Sequence, residues 1–308
     1  MTDPQPVRYA PEWLGVREAA DGLARSRELA NLLTEDLTFE QSRRRAADRS
    51  AERPPIVVHD LGCGTASMAR WQAPRLPGPQ HWVLHDRDPE LLRLAASAMP
   101  RVAADGRPIT AETRAGDLTR LAPADLAGAD LVTGSALLDL LTSDEVDRLA
   151  DVCAQVQCSA LFTLSVTGWV EFTPADPLDD VVRDAFNAHQ RRVLAGRRLL
   201  GPDAIDAAQQ AFGRAGAELT VRSSPWLLGA DDSALIAQWL HGWVGAAQEQ
   251  SARPEVDNYL QRRLAQASQG RLLVVVHHAD LLASFERTLS RPASYESLTV
   301  RVPDGLSP

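Results

Sequence analysis

The chain has 308 residues, is 44% hydrophobic and carries a net charge of −9, which allows a substantial core in one large domain or two small ones. The acidic balance argues against a nucleic-acid backbone or an anionic membrane as the main partner. All 32 basic residues are arginine, which excludes a lysine Schiff base and the lysine of a phosphate-binding P-loop.

Residues 12–33 place Trp13, Val16, Ala20, Leu23, Leu29, Leu32 and Leu33 at roughly helical spacing, predicting one amphipathic helix. Residues 41–55, with Arg43-Arg44-Arg45 and Pro54-Pro55, read as a helix end and a linker. From Ile56 the pattern alternates. A strand over 56–60 leads into a turn and a helix near 65–73. A strand over 81–86 precedes a helix near 88–99, with Pro89 suited to the first helical position. Strands near 110–115 and 129–133 follow, then a helix over 143–156 for which Ser143 is a candidate cap, then a strand over 159–166. Strands alternating with helices imply parallel pairing. Residues 167–200 hold an inserted helix, roughly 178–193. Gly201-Pro202-Asp203 opens another helix to about Ala215, followed by a strand over 217–222. A helical pair covers 231–249 and 254–268, and 271–277 reads as a buried strand. Residues 289–308 read as an extended tail.

The N-terminus, Met1-Thr2-Asp3-Pro4, lacks the apolar core of a signal peptide. No apolar run approaches the roughly 18 residues of a membrane span. Cys63, Cys153 and Cys158 have no zinc-ligand spacing and read as reduced thiols of a cytoplasmic protein. No metal site is expected.

Chemistry concentrates at Ile56-Val57-Val58-His59-Asp60-Leu61-Gly62-Cys63-Gly64-Thr65 and, farther on, at Asp86. Gly62 and Gly64 let the backbone turn sharply and approach a ligand. A carboxylate ending the second strand is placed to accept from both hydroxyls of a ribose. A dinucleotide fingerprint would need glycine at position 67, where the chain has Ser67. A pyrophosphate would also meet the negative charge of Asp60, whereas a cofactor carrying an ammonium and a sulfonium would be attracted. Charges a few ångströms apart interact by about 1 kcal/mol in water and several near a protein surface, so the sign of Asp60 selects S-adenosylmethionine over NAD.

These residues resemble the motifs of class I S-adenosylmethionine-dependent methyltransferases. Val58 to Thr65 is similar to the first motif, and His85-Asp86-Arg87-Asp88-Pro89-Glu90 to the second. Ala115-Gly116-Asp117-Leu118 resembles the adenine-contacting motif, and Asp130 to Leu140 the fourth strand and its loop. The resemblance covers about residues 56–165. It implies an α/β, Rossmann-like, seven-stranded, mostly parallel sheet with an antiparallel last hairpin, plus helical N-terminal and insertion segments. It implies that Asp60 helps hold the cofactor ammonium, that Gly62 and Gly64 pass its methionine part, that Asp86 binds ribose and that Asp117 accepts from the adenine amino group. Cofactor contacts are thus expected at Asp60, Gly62, Cys63, Gly64, Asp86, Arg87, Asp117, Leu118 and Ser135. The expected organisation is an N-terminal helical segment (1–53), a methyltransferase domain (54–288) with insertions at 167–200 and 230–268, and the tail (289–308).

Methyl transfer from a sulfonium mainly needs proximity, alignment and a dry site. A base is required only where the acceptor must lose a proton. The candidates are Ser135, Asp139, Trp169, Glu171 and His189, with His189 and Asp139 taken as the catalytic pair. His59 and His85 read as strand-end structural residues, Trp239 and Trp243 as helix packing, and His277-His278 as a sheet cap. The fourth-strand loop lacks the Asn/Asp-Pro-Pro-Tyr sequence that serves planar exocyclic amines in related enzymes, so the expected acceptor is a small molecule. Two alternatives stand beside it: a non-catalytic binding module of the same fold, and an RNA or protein methyltransferase using the Arg43–Arg45 segment or the helical insertion.

Overall fold

In the computed structural model, which describes residues 9–47, 54–251 and 255–285, an eight-stranded sheet carries the chain's alternating pattern. Its parallel part consists of β1 (Ile56–Leu61), β2 (Gln80–Asp86), β3 (Ile109–Ala115), β4 (Leu131–Ser135) and β5 (Ser159–Thr173). Two residues each form β6 (Val193–Leu194) and β7 (Arg197–Arg198), a separate hairpin. β8 (Glu218–Ser223), β9 (Trp226–Leu228) and β10 (Leu273–Ser284) complete the sheet. The order is β3-β2-β1-β4-β5-β10-β8, with β9 also on β10. β10 runs antiparallel to β5, β8 and β9. The expected seven strands are therefore joined by an eighth, β9. Residues 224–225 break one edge strand into β8 and β9, which pair with successive halves of β10.

Helices α1 (Pro11–Ala24) and α2 (Arg27–Ala47) replace the single helix expected over 12–33, and α2 continues through the first half of the expected linker. Ser26 causes the break: its hydroxyl accepts from the Leu29 N–H at 3.3 Å, starting a new helix. The remaining helices are α3 (Ser67–Gln72), α4 (Pro89–Ala98), α5 (Ser143–Val156), α6 (Asp179–Gln190), α7 (Ala204–Arg214), α8 (Ser233–Gln250) and α9 (Glu255–Ser268). Pro89 does open α4. The cap of α5 is Thr142, not Ser143. Thr142 Oγ1 accepts from the Glu145 N–H, and the Glu145 carboxylate accepts from the Thr142 N–H, a reciprocal box one residue earlier than expected. The helix expected to reach residue 193 stops at Gln190, because Ala195 and Gly196 both take positive φ and turn the β6–β7 hairpin.

Successive strand residues point to opposite faces, and two cores follow. On one side Val132 and Phe162 pack with Val146 and Leu149 of α5 and Phe212 of α7. On the other, Val58, Trp82, Leu131 and Leu161 pack with Leu29 and Leu33 of α2 and Leu92 of α4. A third core lies beyond the sheet proper. β5 and β10 are far longer than expected, and their extensions, with β9, pack Phe172, Trp226 and Val274 against α8 and α9. Leu164, at φ +58°, marks the irregularity where β5 bends into this extension. No helix among the described residues is long and apolar enough to cross a membrane. The expected tail, and the boundary at residue 288, lie outside the described residues.

Candidate functional site

Strand order reverses between β1 and β4, and ligands of open α/β sheets sit at the carboxyl ends of the strands at such a point. A cavity of about 550 Å³ opens there, within the roughly 300–1,000 Å³ typical of small-ligand sites. Asp60, Gly62, Cys63, Gly64, Asp86, Arg87, Asp117, Leu118, Ser135 and Asp139 all line it. Ten residues expected at the site are thus brought together from four separate loops.

The glycine turn is shaped by backbone requirements. Gly62 and Gly64 have φ of +63° and +53°, which favour glycine. A Cβ on Gly62 would stand 3.1 Å from Leu137 Cδ1, and one on Gly64 would stand 3.1 Å from Leu14 Cδ1. The turn is therefore threaded between the β4 loop and α1 with no space to spare.

Asp60 is fully buried at the end of β1. Its Oδ1 accepts from Thr133 Oγ1 at 2.7 Å, while Oδ2 is shielded from solvent and has no hydrogen-bond partner among the described residues. Burial pushes this carboxyl up to about 7, opposed by the Thr133 hydroxyl and by Arg25. An unpaired buried carboxylate oxygen is costly unless a ligand supplies a donor or a cation. Asp86 ends β2. Its Oδ2 accepts from the Gly64 N–H at 3.0 Å and its Oδ1 from the Asp88 N–H at 2.9 Å. It braces the glycine turn and faces the cavity at once. Asp117 follows β3 and accepts from the backbone N–H and hydroxyl of Thr119, at 3.0 and 2.8 Å. These bonds hold its carboxyl below the usual range against the opposing effect of desolvation.

Asp139, in the loop after β4, has an Oδ1 shielded from solvent and without a partner among the described residues. Burial raises its carboxyl to about 6, with Arg17 opposing. Trp169 lines the cavity, but Glu171 does not: it accepts from the ring of His277, a lining residue, at 2.8 Å. The structure does not bring His189 to the cavity either. Its Nε2 lies 3.0 Å from Glu249 and its Nδ1 3.3 Å from Arg192. Burial and Arg192 lower its pKa. The imidazole is a brace between α6 and α8, two helices that sequence spacing could not place side by side.

His59 and His85 stand away from the cavity, Nδ1 of one 3.0 Å from Nε2 of the other. Burial holds both near 4, so they form a neutral pair in which one ring donates to the other. His278 is buried, neutral with a pKa near 3, and packs tilted against Trp226, with ring centroids 5.3 Å apart and 59° between planes.

Arg25 was not expected at the site. It is fully buried, donates to Ser67 Oγ at 3.2 Å and Ser135 Oγ at 3.1 Å, and lines the cavity beside Asp60. Its sequence signal was the polar break at Arg25-Ser26 inside an apolar period. Asp21 and Arg17 of α1 join it, paired at 2.9 Å, with Trp226 Nε1 donating to Asp21 Oδ1 at 3.0 Å. Trp239 and Trp243 belong to the third core, as expected, and also line the cavity.

No protein-family model matches the chain, and no curated protein matches it. Among solved structures, it is similar to a cyclopropane synthase from Mycobacterium tuberculosis at 14% identity and a TM-score of 0.41, over 91% of this chain and 100% of that one. It is similar to an S-adenosylmethionine-dependent methyltransferase from Geobacter sulfurreducens, in complex with S-adenosyl-L-homocysteine, at 16% identity and a TM-score of 0.41, over 92% and 100%. A magnesium protoporphyrin IX methyltransferase from Synechocystis is similar at 14% identity and a TM-score of 0.36, over 70% and 91%.

Proposed function

We propose that the chain is an S-adenosylmethionine-dependent methyltransferase acting on a small molecule. The observation that carries this reading is the unpartnered Oδ2 of buried Asp60 at a glycine turn, with Asp86 at the end of the neighbouring strand. The residues present fit the cofactor. Asp60 offers a buried acceptor to an ammonium, the Gly62–Gly64 turn gives backbone access, Asp86 offers acceptors to ribose, and Asp117 with Leu118 faces the adenine end. A dinucleotide would instead set its pyrophosphate against Asp60, where like charges repel and neither ammonium nor sulfonium meets the buried acceptor. When bound, the sulfonium supplies a methyl group already activated for displacement. The chain's own residues bind, align and exclude water. Asp139, with a carboxyl near 6, is matched to take a proton at neutral pH. Arg43 pairs with Glu40 at 2.7 Å and Arg44 with Asp130, so both side chains are already engaged within the fold. That supports a small acceptor over an RNA.

Calorimetry of the full chain is expected to show micromolar binding of S-adenosylmethionine and S-adenosylhomocysteine and none of NAD. Binding of NAD in preference would overturn the assignment. Incubation with methyl-labelled cofactor and a cell extract is expected to place label in low-mass material, and label confined to RNA or protein would move the reading to a macromolecular acceptor.

Asp60 also makes binding depend on pH. Before binding, its carboxyl titrates near 7, and an adjacent cation favours the ionised form, so binding releases a proton as pH falls below 7. Affinity is expected to fall by up to about tenfold per unit between pH 7 and pH 5, since one unit corresponds to about 1.36 kcal/mol. The Asp60→Asn variant is expected to bind weakly at all pH values with this slope removed. An unchanged slope in the variant would assign the proton to another group.

A further inference from the structure

Resting on the methyltransferase reading, the half of the cavity away from the glycine turn identifies the acceptor by its chemistry. Its wall is aromatic. Trp239 and Trp243, one turn apart on α8, stack with ring centroids 5.1 Å apart and 18° between planes, and Phe186 of α6 stands 6.2 Å from Trp243. All three line the cavity. The indole N–H of Trp243, in a side chain only 2% exposed, has no acceptor among the described residues. Also on α6 and lining the cavity, Asn187 donates to the Gly168 carbonyl at 2.8 Å, which leaves its Oδ1 shielded and without a donor among the described residues. Buried polar atoms without partners in a cavity are atoms that a ligand would satisfy.

Charge is distributed unevenly around this wall. Arg17 is neutralised by Asp21 at 2.9 Å and Arg197 by Glu145 at 2.6 Å. Arg192, directly after α6, reaches only the carbonyl and ring of His189 and has no carboxylate partner among the described residues. On the β4 side stands Asp139 with its own unpartnered oxygen. The same cavity therefore offers a cation to an anionic group and a carboxylate to a donor, beside a wall of stacked rings. Planar fork geometry suits Arg192 to a carboxylate, and aromatic faces suit a flat ring better than a flexible or saturated one.

We propose that the acceptor is a planar aromatic acid bearing a phenolic hydroxyl, its ring on the Trp239–Trp243–Phe186 wall, its carboxylate on Arg192 and its hydroxyl toward Asp139. The phenolic proton passes to the Asp139 carboxylate. The oxygen forms a bond to the methyl carbon as the donor's carbon–sulfur bond breaks, with the electron pair remaining on sulfur. The products are an aryl methyl ether, a neutral thioether and a protonated Asp139, which returns its proton to solvent.

The test uses the full chain saturated with S-adenosylhomocysteine and titrated by calorimetry. The probes are salicylate, 4-hydroxycinnamate and 3-hydroxy-2-naphthoate, together with the carboxamide and the cyclohexane counterpart of each. At least one phenolic acid is expected to bind, with its amide and its saturated counterpart weaker by about tenfold or more, the range of one lost charged hydrogen bond. Arg192→Gln is expected to weaken the acid by a similar factor, leave the amide unchanged and leave S-adenosylhomocysteine binding intact. Arg192→Lys, which keeps the charge but not the fork, is expected to fall between. The proposal is overturned if none of the acids binds the saturated protein, if a saturated counterpart binds as well as its aromatic acid, or if Arg192→Gln has no effect. Failure of S-adenosylhomocysteine itself to bind would overturn the underlying methyltransferase reading instead, so the two failures are distinguishable.

Discussion

Replacing Asp280 with alanine is expected to destabilise the protein by about 3–5 kcal/mol, because two backbone N–H groups and a hydroxyl lose their common acceptor. Asp280 lies fully buried in β10. Its Oδ1 accepts from the Leu164 N–H at 2.8 Å and from Ser224 Oγ at 2.5 Å, and its Oδ2 from the Ser26 N–H at 2.7 Å. Each donor sits where regular hydrogen bonding fails: the positive-φ bend of β5, the break between β8 and β9, and the break between α1 and α2. One carboxylate thus fastens three irregular joints around the cavity. Burial raises its pKa, so these bonds favour the charged form against a large desolvation cost. Asp280→Asn keeps one acceptor for Leu164 and Ser224 but turns an NH2 toward the Ser26 N–H. Its expected cost is smaller, about 1–3 kcal/mol for one unsatisfied donor. Chemical denaturation of both variants measures the difference. An alanine variant within about 0.5 kcal/mol of the wild type, the range of ordinary surface substitutions, would contradict the bracing role.

Asp86→Ala is expected to reduce the affinity for S-adenosylhomocysteine by about 100-fold or more. In the proposed ribose position Asp86 would accept two charged hydrogen bonds of about 1.5–3 kcal/mol each, and about 2.8 kcal/mol corresponds to a factor of 100. The same change removes the acceptor for the Gly64 N–H, so the turn loses its brace along with the ligand. Asp86→Asn keeps a similar shape and one acceptor oxygen, and is expected to lose about tenfold. Melting curves taken alongside the calorimetry separate a loss of binding from a loss of fold. Unchanged affinity in the alanine variant would remove Asp86 from the ribose position.

Much of the cofactor side was legible because its determinants are local. The apolar run of β1, the acid that ends it and the glycines that follow occupy ten consecutive residues, and the acid at the end of β2 is set by the length of a single crossover. The long strands were only half legible. In β10 the run from Leu272 to Ala283 is apolar except for the histidines and Asp280, and a buried charge inside such a run demands partners. The demand can be read in sequence, but the partners cannot: Ser26 lies 254 positions away. The extension of β5 was missed because its second half alternates half-buried and exposed residues, which resembles a surface loop until α8 and α9 cover it. The base expected at His189 shows the same limit. Its residue type suited the role, while its partners Glu249 and Arg192 are assigned by the packing of α6 on α8.

By itself, the sequence determined the parallel sheet, the glycine turn and the carboxylates at the ends of β1, β2 and β3. All of these follow from periodicity and from backbone conformations that span a few residues. Only the tertiary structure decided that Arg25 reaches the turn, that Asp280 fastens three joints, and that the aromatic wall and Arg192 share a cavity with Asp139. The physical reason is range. Strand and turn preferences act between neighbours along the chain, whereas the half of the cavity away from the glycine turn is built where α1, α6 and α8 meet, and that meeting is set by burial of apolar surface among segments far apart in the chain.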